Sequence, residues 1–534
     1  MPYATDPDSS FDPLRDRLFV GGSVRTLDDQ RPVAEAVAVR GGRVLAVGDE
    51  AEVRARLAPG AETVDVGGAV LTPGFHDSHV HLGFHGQELS QVQLGDTASL
   101  DEALERLRVR AASVPAGTWV LGTGFALQRW GLRHPDREAL DAVLPAHPVL
   151  LRSQDHHSGL ANGAALERAG VHAGTSDPEG GVFERRADGS PSGHLLEGAV
   201  AVVARAVTPA TPAELREAIT SGARSLNALG ITTVHQMAFE PPDNFRALAL
   251  AASDDAFPMR VWACLPQEEI ESALSIGLAT GIGGDRFTLG GAKFFVDGAL
   301  GSLSAWMLEP YDGGSDVGMV LTPPDVLAQR VALAISAGLT PVGHAIGDAA
   351  VRALLDAYEA TEPAWRAAGL RPRVEHAQHV HPGDVARLGR MGLVASMQPL
   401  HLTFDAPTIH ERLRDRHDRA YPIRSLSAAG AVLAFGSDTP VAPPDPAASL
   451  RAAIDRTGAG GRIVAPDEAI DAATAVAAYT RGAATAIGRG GRSGVLRPGA
   501  DADLVAWSDD PTAGRLDRLG VRMTVVAGRI VHLG

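Results

Sequence analysis

Cysteine is almost absent: Cys264 is the single thiol in 534 residues. One thiol builds neither an intrachain disulfide framework nor a cysteine-rich metal site, so any metal must rest mainly on histidine, carboxylate or a modified lysine. Positive charge is also short. Lys and Arg number 48 against 64 Asp and Glu, a formal net charge of -16, which argues against a nucleic-acid partner, since phosphates demand clustered bases. No apolar run is long enough to span a bilayer. Met1 to Pro13 is polar and lacks a basic start followed by an apolar stretch, so the expected compartment is the cytoplasm and no membrane partner is expected. Tandem repeats and low-complexity tracts are missing beyond a richness in Gly and Ala.

What is present is a chain far longer than one ordinary core needs, 45% hydrophobic and 21% charged, with 60 Gly and 35 Pro punctuating many short loops. That composition fits one large catalytic domain with attachments, acting on a small molecule, and leaves a homodimer open. Residues 1–16 are expected to be disordered or extended. From Leu18 to Gly48, short β-rich runs are broken by Gly pairs, and the style returns at Asp503–Trp507 and Val521–Val531. Either end alone is a marginal sheet. Residues 17–69 and 492–534 are therefore expected to form one small β-sandwich domain from both termini.

Between them, β-like and helical runs alternate, as in βα units around a parallel sheet. The clearest unit has a helix at Glu214–Leu229, a break at Gly230 and a strand at Ile231–His235. Further strands are expected at Val70–Phe75, Met259–Ala263, Phe287–Val296, Thr340–His344, Arg373–His376, Leu393–Met397 and Val432–Phe435. Eight strands make an α/β fold of the closed (β/α)8 TIM-like class over residues 70–491. The stretch 84–211 is too long for one barrel helix. It holds strand-like pieces at Trp119–Thr123 and Val149–Arg152 and a hairpin around Gly180–Gly189, and reads as an insertion after the first barrel strand.

The most informative stretch is Leu71-Thr-Pro-Gly-Phe-His-Asp-Ser-His-Val-His-Leu82. Asp77, His79 and His81 share one parity, so on a strand both imidazoles reach one point in space, whereas His76 has the opposite parity. A bare His-x-His fits two ordinary histidines near a turn equally well. Barrel enzymes gather their reactive groups at the C-terminal ends of strands, and there the sequence offers Lys293 and Asp297, His344 and Asp348, Glu375 and His376, and Ser437 and Asp438. Four histidines, a lysine and an aspartate at strand ends form a divalent-metal set.

With these motifs the chain resembles the amidohydrolase superfamily, and within it the amidohydrolase-3 group that includes YtcJ-like proteins and N-substituted formamide deformylases. The likeness rests on Pro73–His81, Lys293–Gly298, His344–Asp348, Glu375–Gln378 and Gly436–Pro440, and on the return at Gly494–Val505. It implies that His79 and His81 bind one metal, that His344 and His376 bind a second, and that Asp438 faces the nucleophilic water as general base and acid. Lys293 would bridge two ions if carboxylated, and an unmodified Lys293 would instead pair with Asp297 or Asp438. The implied cofactor is zinc, as one or two ions, with other divalent metals open. The implied reaction is hydrolysis of a non-peptide C–N bond in an amide, formamide or cyclic amide. Alternatives are esterase, lactonase or isomerase chemistry at the same site, or a barrel that only binds small molecules. Asp77 is expected to orient a ligand imidazole, Asp297 to face the site, and His157 to touch substrate from the insertion. Trp306 is a candidate pocket wall and Cys264 a substitute ligand, while His379, His381 and His401 are expected on the surface.

Overall fold

The computed structural model describes Asp8 and residues 11–153 and 158–534. They fall into two compact units, one formed by the chain up to Phe84 with Ile219–Gly534, the other by His85–Ala218. No described helix is long and apolar enough to cross a membrane.

The larger unit contains a parallel barrel of eight strands: β1 (Phe75–Val80), β2 (Ile231–Gln236), β3 (Arg260–Pro266), β4 (Phe287–Phe295), β5 (Thr340–Ala345), β6 (Arg373–His376), β7 (Val394–Met397) and β8 (Val432–Phe435). Each strand pairs with the next in chain order. Parallel neighbours need a crossover between them, and helices such as Pro242–Ala252, Pro324–Ser336 and Asp348–Ala360 supply it. β1 and β8 close the ring through a parallel bridge of Val80 with Thr439. There the Asp438 amide donates to the His79 carbonyl at 2.7 Å and the His81 amide to the Thr439 carbonyl at 2.9 Å.

Two further sheets in this unit draw on both ends of the chain. One orders Arg43–Gly48, Ala36–Arg40, Arg17–Val20 and Glu62–Asp65; the other runs from Arg529–Leu533 through Val521–Val526, Leu504–Trp507, Val70–Pro73 and Ser23–Arg25 to Val33–Ala34. Phe19, Val37 and Val39 of the first share one apolar core with Val24, Leu71, Leu504 and Val525 of the second. Each such side chain, fully buried, contributes about 1.5–3 kcal/mol.

One expectation is corrected here. Val70–Pro73 is not a barrel strand: it pairs antiparallel with Leu504–Trp507 and parallel with Ser23–Arg25, so the barrel begins at Phe75 rather than at residue 70. Apart from Thr72 the run from Val70 to Phe75 carries no polar side chain, and periodicity alone cannot divide it between two sheets. Gly74 marks the crossing, because a Cβ there would sit 2.2 Å from Thr232 Oγ1. At the N-terminus, Asp8 is buried and accepts from Arg17 Nη1 at 2.5 Å and Nη2 at 3.0 Å, and the Gly41 amide donates to the Pro13 carbonyl. Asp8 is thus held by an ion pair, while most of residues 1–10 of the stretch expected to be disordered or extended lie outside the described residues.

The smaller unit has a six-stranded sheet in the order Gly181–Arg185, Pro191–Glu197, Ser158–Ala161, Val149–Ser153, Val120–Phe125 and Val92–Gln93. One apolar cluster gathers Leu104, Leu107, Phe125 and Trp130, and a second gathers Leu150, Leu166, Phe183 and Leu195.

Arg260, at the start of β3, sends Nε to Asp503 Oδ2 at 2.7 Å and Nη2 to Oδ1 at 3.1 Å, both groups being buried. Removing one partner of a buried pair leaves an uncompensated charge. Asp503→Ala is therefore expected to destabilise the chain by about 3–5 kcal/mol, read as a lowered urea midpoint. A loss no larger than that of an exposed pair, about 1 kcal/mol, would contradict this.

Candidate metal centre

His79 stands on β1 with its ring buried. Nδ1 lies 2.7 Å from Glu375 Oε2, and Nε2 lies 3.4 Å from Asp438 Oδ1. A neutral imidazole has one N–H, so donating it to Glu375 leaves the Nε2 lone pair free. His376 is fixed in the same way, with Nδ1 2.8 Å from Gln398 Oε1. His344 uses the other nitrogen, Nε2, against the Gly298 carbonyl at 3.1 Å, and its ring centroid is 4.4 Å from that of His376. His81 places Nε2 3.4 Å from Asp438 Oδ1, and its Nδ1 is buried without a hydrogen bond among the described residues. His79, His376 and Asp438 bring ligand atoms within 4.8 Å of one another.

Glu375 and His376 are adjacent, so strand alternation alone would send them to opposite faces. The backbone resolves this: φ is 73° at His376 and 45° at Ala377, so the chain turns sharply as β6 ends. Asp438 is a third residue of this kind, at φ 63°. Left-handed non-glycine residues cost about 1–3 kcal/mol each and persist only where surrounding bonds over-determine them. Here the Ala377 amide is held by the Ala345 carbonyl and the Asp438 amide by the His79 carbonyl.

A buried ion pair supports His79 from behind. Arg373, fully buried, donates Nε to Glu375 Oε1 at 2.7 Å and Nη2 to the Ser78 carbonyl at 2.8 Å. Its Nη1 lies 3.0 Å from His235 Nδ1. Burial would raise the Glu375 carboxyl, but Arg373 and His79 prevail and hold it far below the usual carboxylate range. Burial, reinforced by Lys293, pushes His79 down to about 4 and His344 to about 3, so both rings are neutral near pH 7. Asp438 is lowered against its own burial by the His79, His81 and His376 rings.

Lys293, on β4, is buried, and its Nζ makes no hydrogen bond among the described residues. Burial lowers its pKa. Neither Asp297 nor Asp438 pairs with it. Asp297 instead accepts from the amides of Trp306 at 2.9 Å, Ile346 at 3.0 Å and Gly347 at 2.8 Å. An orphaned lysine nitrogen, free imidazole lone pairs and a carboxylate together fit a divalent-metal centre of nitrogen and oxygen ligands.

Several expected roles change. Asp77 does not touch an imidazole: its carboxylate accepts from the Ser437 amide at 2.9 Å, the Ser437 hydroxyl at 2.6 Å and the His79 amide at 3.2 Å. Burial raises its pKa to about 7. It holds the strand end that presents Asp438, and Gly436 allows this approach, since a Cβ there would lie 2.7 Å from Asp77 Oδ1. Cys264 packs with Met237, Trp262 and Val342, and burial pushes its thiol up to about 11, so it stands outside the ligand set. Trp306 contributes its backbone to Asp297, while the cavity wall is built by other side chains. His157 lies outside the described residues. His379 is buried rather than on the surface. His401 is not on the surface either, because the helix His401–Arg412 begins just after β7 and turns it into the cavity, with Nε2 3.9 Å from Asp438 Oδ2.

The metal-facing groups open into a cavity of about 450 Å³. Phe84, Phe239, Phe295 and Phe404 form much of its wall, with Phe239 65% and Phe404 57% exposed. Phe295 lies within the Lys293–Gly298 motif, but Phe84, Phe239 and Phe404 stand far apart in sequence on separate elements, so no shared spacing announced the wall.

The amidohydrolase family model (Amidohydro_3) matches residues 62–532. The chain belongs to the amidohydrolase family. It is 34% identical over 509 residues to Protein LONG AFTER FAR-RED 3 of Arabidopsis thaliana, covering 93% of this chain and 87% of that protein. With the N-substituted formamide deformylase of Arthrobacter pascens it shares 31% identity over 537 residues, covering 96% of this chain and 98% of that one. Among solved structures, an uncharacterized metal-dependent hydrolase from Pyrococcus horikoshii superposes with a TM-score of 0.79 at 26% identity, covering 97% of this chain and all of the other.

Second partners of metal-bound histidines typically change affinity 10–100-fold when lost. Glu375→Gln, which deprives the His79 N–H of its carboxylate, is expected to weaken divalent-metal binding by about that factor in a chelator competition titration. An unchanged affinity would show that Glu375 does not position His79.

Proposed function

We propose that this amidohydrolase cleaves non-peptide C–N bonds, in an amide, formamide or cyclic amide, with Asp438 handling the proton. The observation that carries the reading is the Asp438 carboxylate, 3.4 Å from both His79 Nε2 and His81 Nε2, on the wall of a cavity large enough for a small substrate. A likeness to a formamide deformylase over nearly the whole of both chains supports the choice of bond.

His79 and His81 would hold one ion and His344 and His376 a second, zinc being the metal this nitrogen and oxygen set suits best. Bound there, zinc supplies Lewis-acid polarisation of a carbonyl and acidifies water to a pKa of about 7. Lys293 would complete the set as a carbamate: its neutral amine taking up CO2, with loss of a proton, would replace a cationic donor by an anionic oxygen acceptor suited to divalent cations. Asp438, ionised at neutral pH, takes a proton from the attacking water and returns it to the leaving nitrogen. Its left-handed backbone, fixed by His79 and by the Asp77–Ser437 bonds, keeps the carboxylate aimed inward. The phenylalanine wall excludes water around the substrate's apolar part.

Asp438→Asn is expected to lower kcat by about 10²–10⁴-fold while zinc content stays near that of the parent, whereas His79→Ala loses bound zinc. A panel of N-formyl, N-acyl, ester and lactone compounds tests the bond. Turnover of esters or lactones alone would overturn the C–N assignment, and full activity in Asp438→Asn would overturn the proton role.

A further inference from the structure

The helix His401–Arg412 brings a second carboxylate to the cavity. Asp405 lies one turn beyond His401 and lines the same space as Phe404 and Gln378. Its Oδ2 accepts from the Tyr421 hydroxyl at 2.6 Å and from Gln378 Nε2. Gln378 Nε2 also donates to the Tyr421 hydroxyl, so three side chains lock together. Oδ1 makes no hydrogen bond, and no lysine or arginine pairs with Asp405, among the described residues. Among the described residues the ionisable ring facing it is His401, whose Nε2 is buried without a hydrogen bond. Burial raises the Asp405 pKa against the contributions of Tyr421, His401 and Gln378.

A carboxylate that is rigidly held, half-buried and without a cationic partner is costly unless something else completes it. Neither Tyr421 nor Gln378 neutralises it. The surrounding wall is aromatic, and the faces of phenylalanine rings attract cations as well as apolar groups. Phe404 is the neighbour of Asp405 in sequence, and Phe239 and Phe295 approach each other with centroids 5.6 Å apart. One unpaired carboxylate among aromatic rings is the chemistry of ammonium recognition.

We propose that Asp405 anchors a protonated amine of the substrate, so that the cavity selects compounds carrying a cationic amino group in addition to the bond that is cleaved. The identity of that bond rests on the C–N reading given above; the anchor does not. Asp405 is a binding residue here, apart from the proton transfer assigned to Asp438.

The test uses the zinc-loaded full chain and two arylalkyl sulfonamides that resist hydrolysis, identical except that one ends in a primary ammonium and the other in a methyl group. Calorimetry should show the cationic probe binding at least about tenfold more tightly, as a charge-assisted hydrogen bond allows. In Asp405→Asn the ratio should fall to within about twofold, while Tyr421→Phe, which keeps the charge, should retain the preference. Equal affinities in the parent chain, no binding of either probe, or a preference that survives in Asp405→Asn would overturn the anchor. Should Asp405→Asn not fold, the parent ratio decides alone. Two formamides built with the same ammonium and methyl ends separate the two claims. Cleavage of both without preference leaves the C–N reading standing and removes the anchor, whereas a preference among sulfonamides with no C–N compound cleaved does the reverse.

Discussion

Asp77 accepts hydrogen bonds from the amide and hydroxyl of Ser437, and the Asp438 amide donates to the His79 carbonyl. These bonds join the first barrel strand to the loop after the last one, across more than 350 residues of chain. Without them β1 and β8 would be open sheet edges, and His79 and His81 would have no fixed relation to Asp438. The glycine before Ser437 is part of the same constraint, since any side chain there would push the two strand ends apart. Closure of the ring and assembly of the site are thus one structural event.

A second consequence concerns charge. The centre collects several buried imidazoles, a lysine and carboxylates in a region that water does not reach freely. Arg373 offsets the Glu375 charge from inside the barrel, and Glu375 in turn orients His79. Lys293 has no such counterpart. Among the described residues its buried nitrogen has no acceptor, and a carbamate on Nζ with bound cations would satisfy it.

Much of this was legible beforehand because strand parity and strand-end position are geometric rules. His79 and His81 follow from alternation, and His344, Lys293 and Asp438 stand at the ends of strands that Gly and Pro punctuate clearly. Other parts were not legible. The run Val70–Phe75 is apolar on both sides of Gly74, so nothing local says that it changes sheets. Glu375 and His376 work together only because φ turns positive at His376, a property that no side-chain pattern encodes. His401 follows a strand end by four residues, a position that could have been weighed, whereas Phe239 and Asp405 become neighbours of the site only through tertiary folding. The role of Asp77 was misjudged for a related reason: parity put it beside the ligands, but its partner, Ser437, is 360 residues away.

The central claim is that the orphaned Lys293 nitrogen and the histidine set exist to hold divalent ions. A crystal structure of the zinc-loaded protein with anomalous scattering at the zinc edge tests it most directly. The account predicts zinc peaks within bonding distance of the His79 and His81 rings and of His344 and His376, with density for a carboxyl group on Lys293 Nζ. An empty centre after loading, or an unmodified Lys293 hydrogen-bonded as an ammonium with zinc bound elsewhere, would contradict it.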